Sequence, residues 1–267
     1  MKVKKVSWKS DGLNIKGEVY IPAGPTGPFP GLIVCHGIPA KVKEPDDRGY
    51  PLLAERFCQE GFAVLIFNFR GAGLSEGNFD LLGWTRDLEG ALDYFIHHPG
   101  VDPTRIFLMG FSGGGAVSIY VAAQRKEVAA LVSCASPAEF RDLITGKSLV
   151  DFLSHSRDVG IIRDANFPLS LKDWKDGFRT VKPLKWIGRI PPRPLLIIHG
   201  TEDDVVNINH ARKLYDKVRG EADLFLIEGA GHRLRVEERA MQKAMEWLRK
   251  IAFSNQQKNF INGFAYR

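Results

Sequence analysis

A chain of 267 residues has room for one large α/β domain, alone or carrying a modest insertion. Hydrophobic residues at 44% and charged residues at 25% are ordinary globular values, which argues against a disordered or membrane-embedded chain. The net charge of +6 does not signal nucleic-acid binding, because the basic residues are dispersed among acids, as in His232-Arg-Leu-Arg-Val-Glu-Glu-Arg, and no aromatic–basic recognition pattern occurs.

Taken in chain order, Leu13, Ile15, Gly17, Val19 and Ile21 alternate with more polar residues, which predicts a half-exposed antiparallel strand. Pro22 to Pro30 is rich in Gly and Pro and predicts a turn. Gly31-Leu-Ile-Val-Cys is a continuous apolar run, as expected of a strand buried on both faces. Similar runs recur at Ala63–Phe69, Arg105–Gly110, Ala129–Ala135, Leu195–His199 and Leu224–Ile227. Between them, Trp84, Leu88, Leu92, Phe95 and Ile96 share one helical face, Ala116 to Ala123 is apolar all round, and Ala240, Ala244, Met245, Leu248 and Ile251 mark a final amphipathic helix. Ser254 to Arg267 is expected to lie beyond that helix. Apolar strands alternating with helices imply an α/β fold: a mainly parallel sheet covered on both faces, with an antiparallel edge from the N-terminal strands.

One interval breaks the rhythm. Between Ala135 and Pro194 no clear strand appears, although Phe140, Phe152, Phe167, Trp174, Phe178 and Trp186 do. That is too long for a connection and too aromatic for a disordered linker. We expect a cap at 137–193 over a core formed by 1–136 and 194–267, with Trp174, Phe178 and Trp186, together with Phe111, as candidate pocket residues.

The three cysteines are too few for a disulfide framework; Cys35 and Cys134 sit in strand-like runs and Cys58 on a helix-like stretch, so buried reduced thiols are expected. No spacing suggests a metal, and no organic cofactor is called for. The basic N-terminus has no apolar run behind it and the longest apolar runs are far too short for a bilayer, so the expected compartment is the cytoplasm.

The chemistry concentrates in Gly110-Phe-Ser-Gly-Gly, directly after one predicted strand and before the apolar helix. A G-x-S-x-G turn of this kind lifts a serine hydroxyl above a sheet. Gly110 and Gly113 are expected to be required by close backbone approach. Ser112 needs a base, since a hydroxyl is a poor nucleophile until its proton is taken. Of seven histidines, His232 follows the last apolar strand in a glycine-rich loop; His97 and His98 end a helix, and His36 and His199 end strands where structural roles are expected. The loop after Leu195–His199 offers Glu202, Asp203 and Asp204 as the acid that would orient an imidazole. Two N–H donors are needed for a developing oxyanion; Gly113 and Ile38 are the candidates, because Pro39 has no N–H.

These segments resemble the α/β-hydrolase superfamily over nearly the whole chain. The resemblance is carried by His36-Gly-Ile, Phe67-Asn-Phe-Arg-Gly-Ala-Gly-Leu-Ser-Glu-Gly, Gly110-Phe-Ser-Gly-Gly, and His199-Gly-Thr-Glu-Asp-Asp-Val-Val with Gly231-His232. It is strongest to small cinnamoyl/feruloyl esterases, monoglyceride-lipase-like enzymes and stand-alone relatives of the prolyl-oligopeptidase catalytic domain. The resemblance puts the acid on Asp203 and implies a cap inserted after the sixth strand. It also implies a Ser-His-Asp hydrolase acting on carboxylic esters through an acyl-enzyme, and the aromatic interval suggests a small ester with an apolar or aromatic portion. Peptidase or amidase, lipase and thioesterase activities use the same triad, and a non-catalytic binding protein can share the fold. A dinucleotide-binding reading of Arg70-Gly-Ala-Gly fails because Glu76 stands where the last glycine is needed. A homo-oligomer is compatible with the chain but is not readable from it.

Overall fold

In the computed structural model, residues 1–24, 27–39 and 48–263 are described, with side chains to 254. Eight strands form one sheet in the order β1-β2-β4-β3-β5-β6-β7-β8. They are β1 (Lys2–Ser10), β2 (Leu13–Ile21), β3 (Phe29–Cys35), β4 (Ala63–Asn68), β5 (Val101–Phe111), β6 (Val128–Cys134), β7 (Leu195–Gly200) and β8 (Asp223–Ile227). β1 and β2 pair antiparallel, β2 joins β4 antiparallel, and every other pairing is parallel. The expected parallel sheet with an antiparallel edge is therefore present.

Successive strand residues point to opposite faces, and both faces are covered. Ile33, Leu108, Leu131 and Ile197 join one apolar cluster, which includes Trp84 and Leu88 of α2 (Leu81–Ile96), Val117 of α3 (Gly113–Ala122) and Leu214 of α7 (Asn209–Lys217). Their neighbours Leu32, Met109, Val132 and Ile198 join the other, with Phe57 of α1 (Gly49–Gln59) and Met241 and Leu248 of α8 (Glu238–Gly263). This is why the central strands read as unbroken apolar runs rather than alternating ones. Cys35, Cys58 and Cys134 are buried and free.

The interval between β6 and β7 carries α4 (Gly146–Asp158), α5 (Leu171–Val181) and the single turn α6 (Pro183–Trp186). Phe140, Phe152, Trp174 and Phe178 belong to the same continuous cluster as α2 and α3. Trp174 Nε1 donates to the Phe79 carbonyl at 3.0 Å, Phe79 N–H donates to Ile161 at 2.7 Å, and Asn78 Oδ1 accepts from Arg163 N–H at 2.7 Å. The insertion is thus fastened to the segment that leads into α2.

The C-terminal expectation needs correction. α8 does not stop near Ile251 but runs to Gly263. Nothing in the stretch breaks it: there is no proline, and Gly263 is the first glycine after Gly231. Residues 264–267, and residues 25 and 26 of the expected Pro22–Pro30 turn, lie outside the described residues. No helix among the described residues is long and apolar enough to cross a membrane.

Candidate active site

Ser112, Asp203, His232 and the loop of Ile38 all follow the C-terminal ends of parallel strands, where loops gather on this architecture. Ser112 follows β5 directly and precedes α3, with φ 51° and ψ −121°. A non-glycine residue held there stores backbone strain of roughly 1–3 kcal/mol, which the surrounding packing must hold. Ser112 N–H donates to the Cys134 carbonyl at 2.8 Å, which ties the turn to β6.

The glycine requirement falls partly elsewhere than expected. A Cβ at Gly110 would come within 2.6 Å of the Gly114 carbonyl oxygen and the Ser118 hydroxyl, so this position demands glycine. At Gly113 the nearest atom would be a Trp84 ring carbon at 3.7 Å, an ordinary contact. The tight approach belongs to Gly114, whose Cβ would overlap the His36 carbonyl oxygen and reach within 2.7 Å of the Cys35 oxygen. The first turn of α3 packs against the end of β3, and the second residue after the serine meets it.

That same approach places the loop after β3 beside the serine. A Cβ at Gly37 would lie 3.0 Å from the Ser112 Cβ, and Ile38 side-chain carbons stand 3.9–4.0 Å from where a Gly113 Cβ would be. Neither the Ile38 nor the Gly113 N–H has a protein acceptor among the described residues. His36 holds the loop from below: it is buried, its Nε2 accepts from Phe69 N–H at 3.0 Å, and its Nδ1–H donates to the Gly37 carbonyl at 2.6 Å. Burial holds this imidazole below its ordinary pKa, so it is a neutral structural brace.

The acid and the base meet across 29 residues of sequence: His232 Nδ1 lies 2.8 Å from Asp203 Oδ2 and 3.0 Å from Oδ1. Asp203 Oδ1 also accepts Val205 N–H at 3.0 Å and Val206 N–H at 2.7 Å. Burial pushes this carboxyl upward, but hydrogen bonds from His199, His232 and Val206 outweigh it and hold Asp203 well below the usual carboxylate range. An ionised Asp203 draws the ring proton to Nδ1 and leaves Nε2 bare as an acceptor. Glu202 and Asp204 are exposed, so of the three acids Asp203 is the one buried against His232. Ser112 Oγ makes no hydrogen bond among the described residues, while the His232–Asp203 pair is closed. A base–nucleophile hydrogen bond often tightens only when substrate is bound.

Of the candidate pocket residues, Phe178 lines a cavity of about 410 Å³ within the insertion, with Phe140, Ile144, Thr145 and the charged Glu139, Arg141, Arg179 and Lys182; Ser112, Asp203 and His232 do not line it. Phe111 is 6% exposed and packs edge-on to Tyr50. Trp174 faces inward, with its ring 4.8 Å from that of Phe178. Trp186 lies against Tyr120, under the Arg189 guanidinium, and donates Nε1–H to Thr180 O at 2.7 Å. His199, expected in a structural role near the site, stands 3.2 Å from Asp203 Oδ2. Its place four residues before the acid was a signal available in the sequence.

Residues 52–255 match the prolyl oligopeptidase family. The chain is 26% identical to polyketide transferase ATR5 of Stachybotrys chlorohalonatus, over 90% of this chain and 94% of that one. It superimposes on the α/β hydrolase GrgF of Penicillium sp. sh18 with a TM-score of 0.70 and 21% identity, covering 94% and 99% of the two chains. An acetyl xylan esterase from Paenibacillus sp. R4 gives a TM-score of 0.69 at 20% identity, covering 91% and 83%. The structural likenesses establish the fold.

Proposed function

This chain belongs to the prolyl oligopeptidase family and has the α/β-hydrolase fold, and we propose that it is a serine hydrolase that cleaves carboxylic esters. The observation that carries this reading is the closed His232–Asp203 pair, its bare Nε2 at the same end of the sheet as the strained Ser112 turn. Ser112 Oγ attacks the ester carbonyl carbon while His232 Nε2 takes the hydroxyl proton. The carbonyl electrons move onto oxygen, where the N–H groups of Ile38 and Gly113 receive the charge. Collapse breaks the bond to the alcohol, which leaves with the proton held by His232. Water then gives a proton to His232 and attacks the acyl carbon; collapse breaks the bond to Ser112 Oγ, which takes the proton back from His232 as the acid leaves.

The 137–193 insertion would be the cap of this site, and the aromatic residues of that insertion favour a substrate with an apolar portion. Similarity to an acetyl xylan esterase favours esters; the family's peptidase name supports amide cleavage as the second reading. Three buried free thiols suit a reducing compartment, so we place the protein in the cytoplasm. The test is one panel of initial rates on aryl esters of graded acyl length, acyl thioesters and aminoacyl amides. The reading expects esters to give the highest kcat/KM; amides or thioesters turned over more efficiently would replace it.

A further inference from the structure

His199 is the last residue but one of β7, with its side chain fully buried, and its Nε2 faces two oxygens: the Val206 carbonyl at 2.7 Å and Asp203 Oδ2 at 3.2 Å. Two acceptors around one nitrogen require that nitrogen to carry the proton. The opposite nitrogen, Nδ1, is buried without a partner among the described residues. As N–H it would add an orphan donor to a buried charge; bare, it is an orphan acceptor, the smaller penalty. The ring is therefore the neutral Nε2–H tautomer. A leucine would fill this core position without orphaning a nitrogen, so packing alone does not account for a histidine.

What the imidazole adds is a donor aimed at the acid turn. Val206 N–H binds Asp203 Oδ1 while the Val206 carbonyl accepts from His199. One ring thus closes the turn from 203 to 206 and stands against the oxygen that receives His232. We infer that His199 is a positioning residue that holds Asp203 between two imidazoles and moderates the charge the acid presents to His232. This inference rests on the proposed triad. With His199 N–H beside Oδ2, part of the carboxylate's charge is already engaged. Without it, that charge falls more fully on His232, the imidazolium is stabilised, and more of the base is protonated at a given pH.

The experiment is the pH profile of kcat/KM for an aryl ester in the wild type, His199→Leu and His199→Gln. Leucine removes the donor; glutamine places an amide N–H near the Nε2 position. The other charged groups around the trio are unchanged in both variants. They are Glu202 and Asp204 on the acid's own turn, Arg233 and Arg235 beyond His232, and His210 on α7 with Lys213, Glu139 and Asp142 near it.

The expected result is an acid limb moved up by about half a pH unit or more in the leucine variant, with the glutamine variant between it and the wild type. An unmoved limb, a downward shift, or a glutamine variant no different from leucine would overturn the inference. Asp203→Asn is run alongside: if it leaves activity intact, the triad fails. If it cripples activity while the leucine limb stays put, only the role of His199 fails. Should the variants not fold, nitrogen NMR of the wild-type ring decides. A protonated Nε2 and bare Nδ1 near neutral pH are expected, and the reverse tautomer refutes the inference.

Discussion

Replacing Gly114 by alanine should damage catalysis far more than replacing Gly113, although Gly113 is the one beside the nucleophile. At Gly114 the new methyl would overlap the His36 carbonyl and stand 2.7 Å from the Cys35 oxygen, both rigid backbone atoms. Ordinary contact is about 3.5 Å, so the end of β3 or the start of α3 must shift by about 1 Å. The loop being displaced carries the Ile38 N–H. A misplacement of that size near reacting atoms can cost on the order of 100-fold in rate, and losing one oxyanion donor costs roughly 100- to 1,000-fold in kcat. We therefore expect Gly114→Ala to lower kcat/KM for an aryl acetate at least about 100-fold. Stability should fall by about 1–3 kcal/mol in urea melts, the range for overpacking. Gly113→Ala meets nothing nearer than 3.7 Å. Alanine suits a helix better than glycine, so stability should hold or rise by about 0.5–1 kcal/mol, with activity within roughly tenfold. Rates measured on both purified variants decide it: equal losses in the two, or a Gly114→Ala enzyme within tenfold of wild type, would refute the packing argument.

Asp203→Asn should lower kcat by about three to four orders of magnitude, while the exposed Asp204 changed likewise should cost less than about tenfold; steady-state rates on the two variants check this. Trp174→Ala and Phe178→Ala should each lower unfolding free energy by roughly 3–5 kcal/mol, read from denaturant curves, because both rings are buried in the aromatic cluster. Hydrogen bonds from Lys213 and Lys182 hold the Glu139 carboxyl down at about 2. Its folded pKa is depressed, so its stabilisation is complete above the ordinary glutamate value and is lost as pH falls through the folded one. The melting-temperature gap between wild type and Glu139→Gln should therefore be open at pH 7 and close towards pH 2; a gap independent of pH would contradict it.

The central strands were legible because β3 through β7 are buried on both faces, so each reads as a continuous apolar run between turn residues. The serine turn, the histidine loop and the acid loop were legible because each follows such a run, in the order Ser112, Asp203, His232. Other features depend on distances that one-dimensional spacing does not contain. Gly113 was expected to be required, but the second glycine of the G-x-S-x-G spacing is Gly114, and the structure presses that one against β3. Trp174, Phe178 and Trp186 looked alike as aromatics of the insertion, but only the fold shows Trp174 and Phe178 buried together in one cluster and Trp186 set apart against Tyr120. α8 outran its amphipathic stripe because polar residues without proline continue a helix as readily as apolar ones. His199 reads as a strand end, and only the turn at 203–206 brings the acid back onto its ring.

The central claim is that Ser112 is the nucleophile of an ester hydrolase. Its most direct test is treatment of the purified protein with a small phosphonate fluoride, followed by peptide mapping of the adduct and assay of aryl-ester hydrolysis. The account predicts one adduct per chain, on Ser112, with activity lost in proportion to labelling, because a serine activated by a base reacts far faster than ordinary hydroxyls. An adduct on another residue, or full activity in protein fully labelled at Ser112, would contradict it.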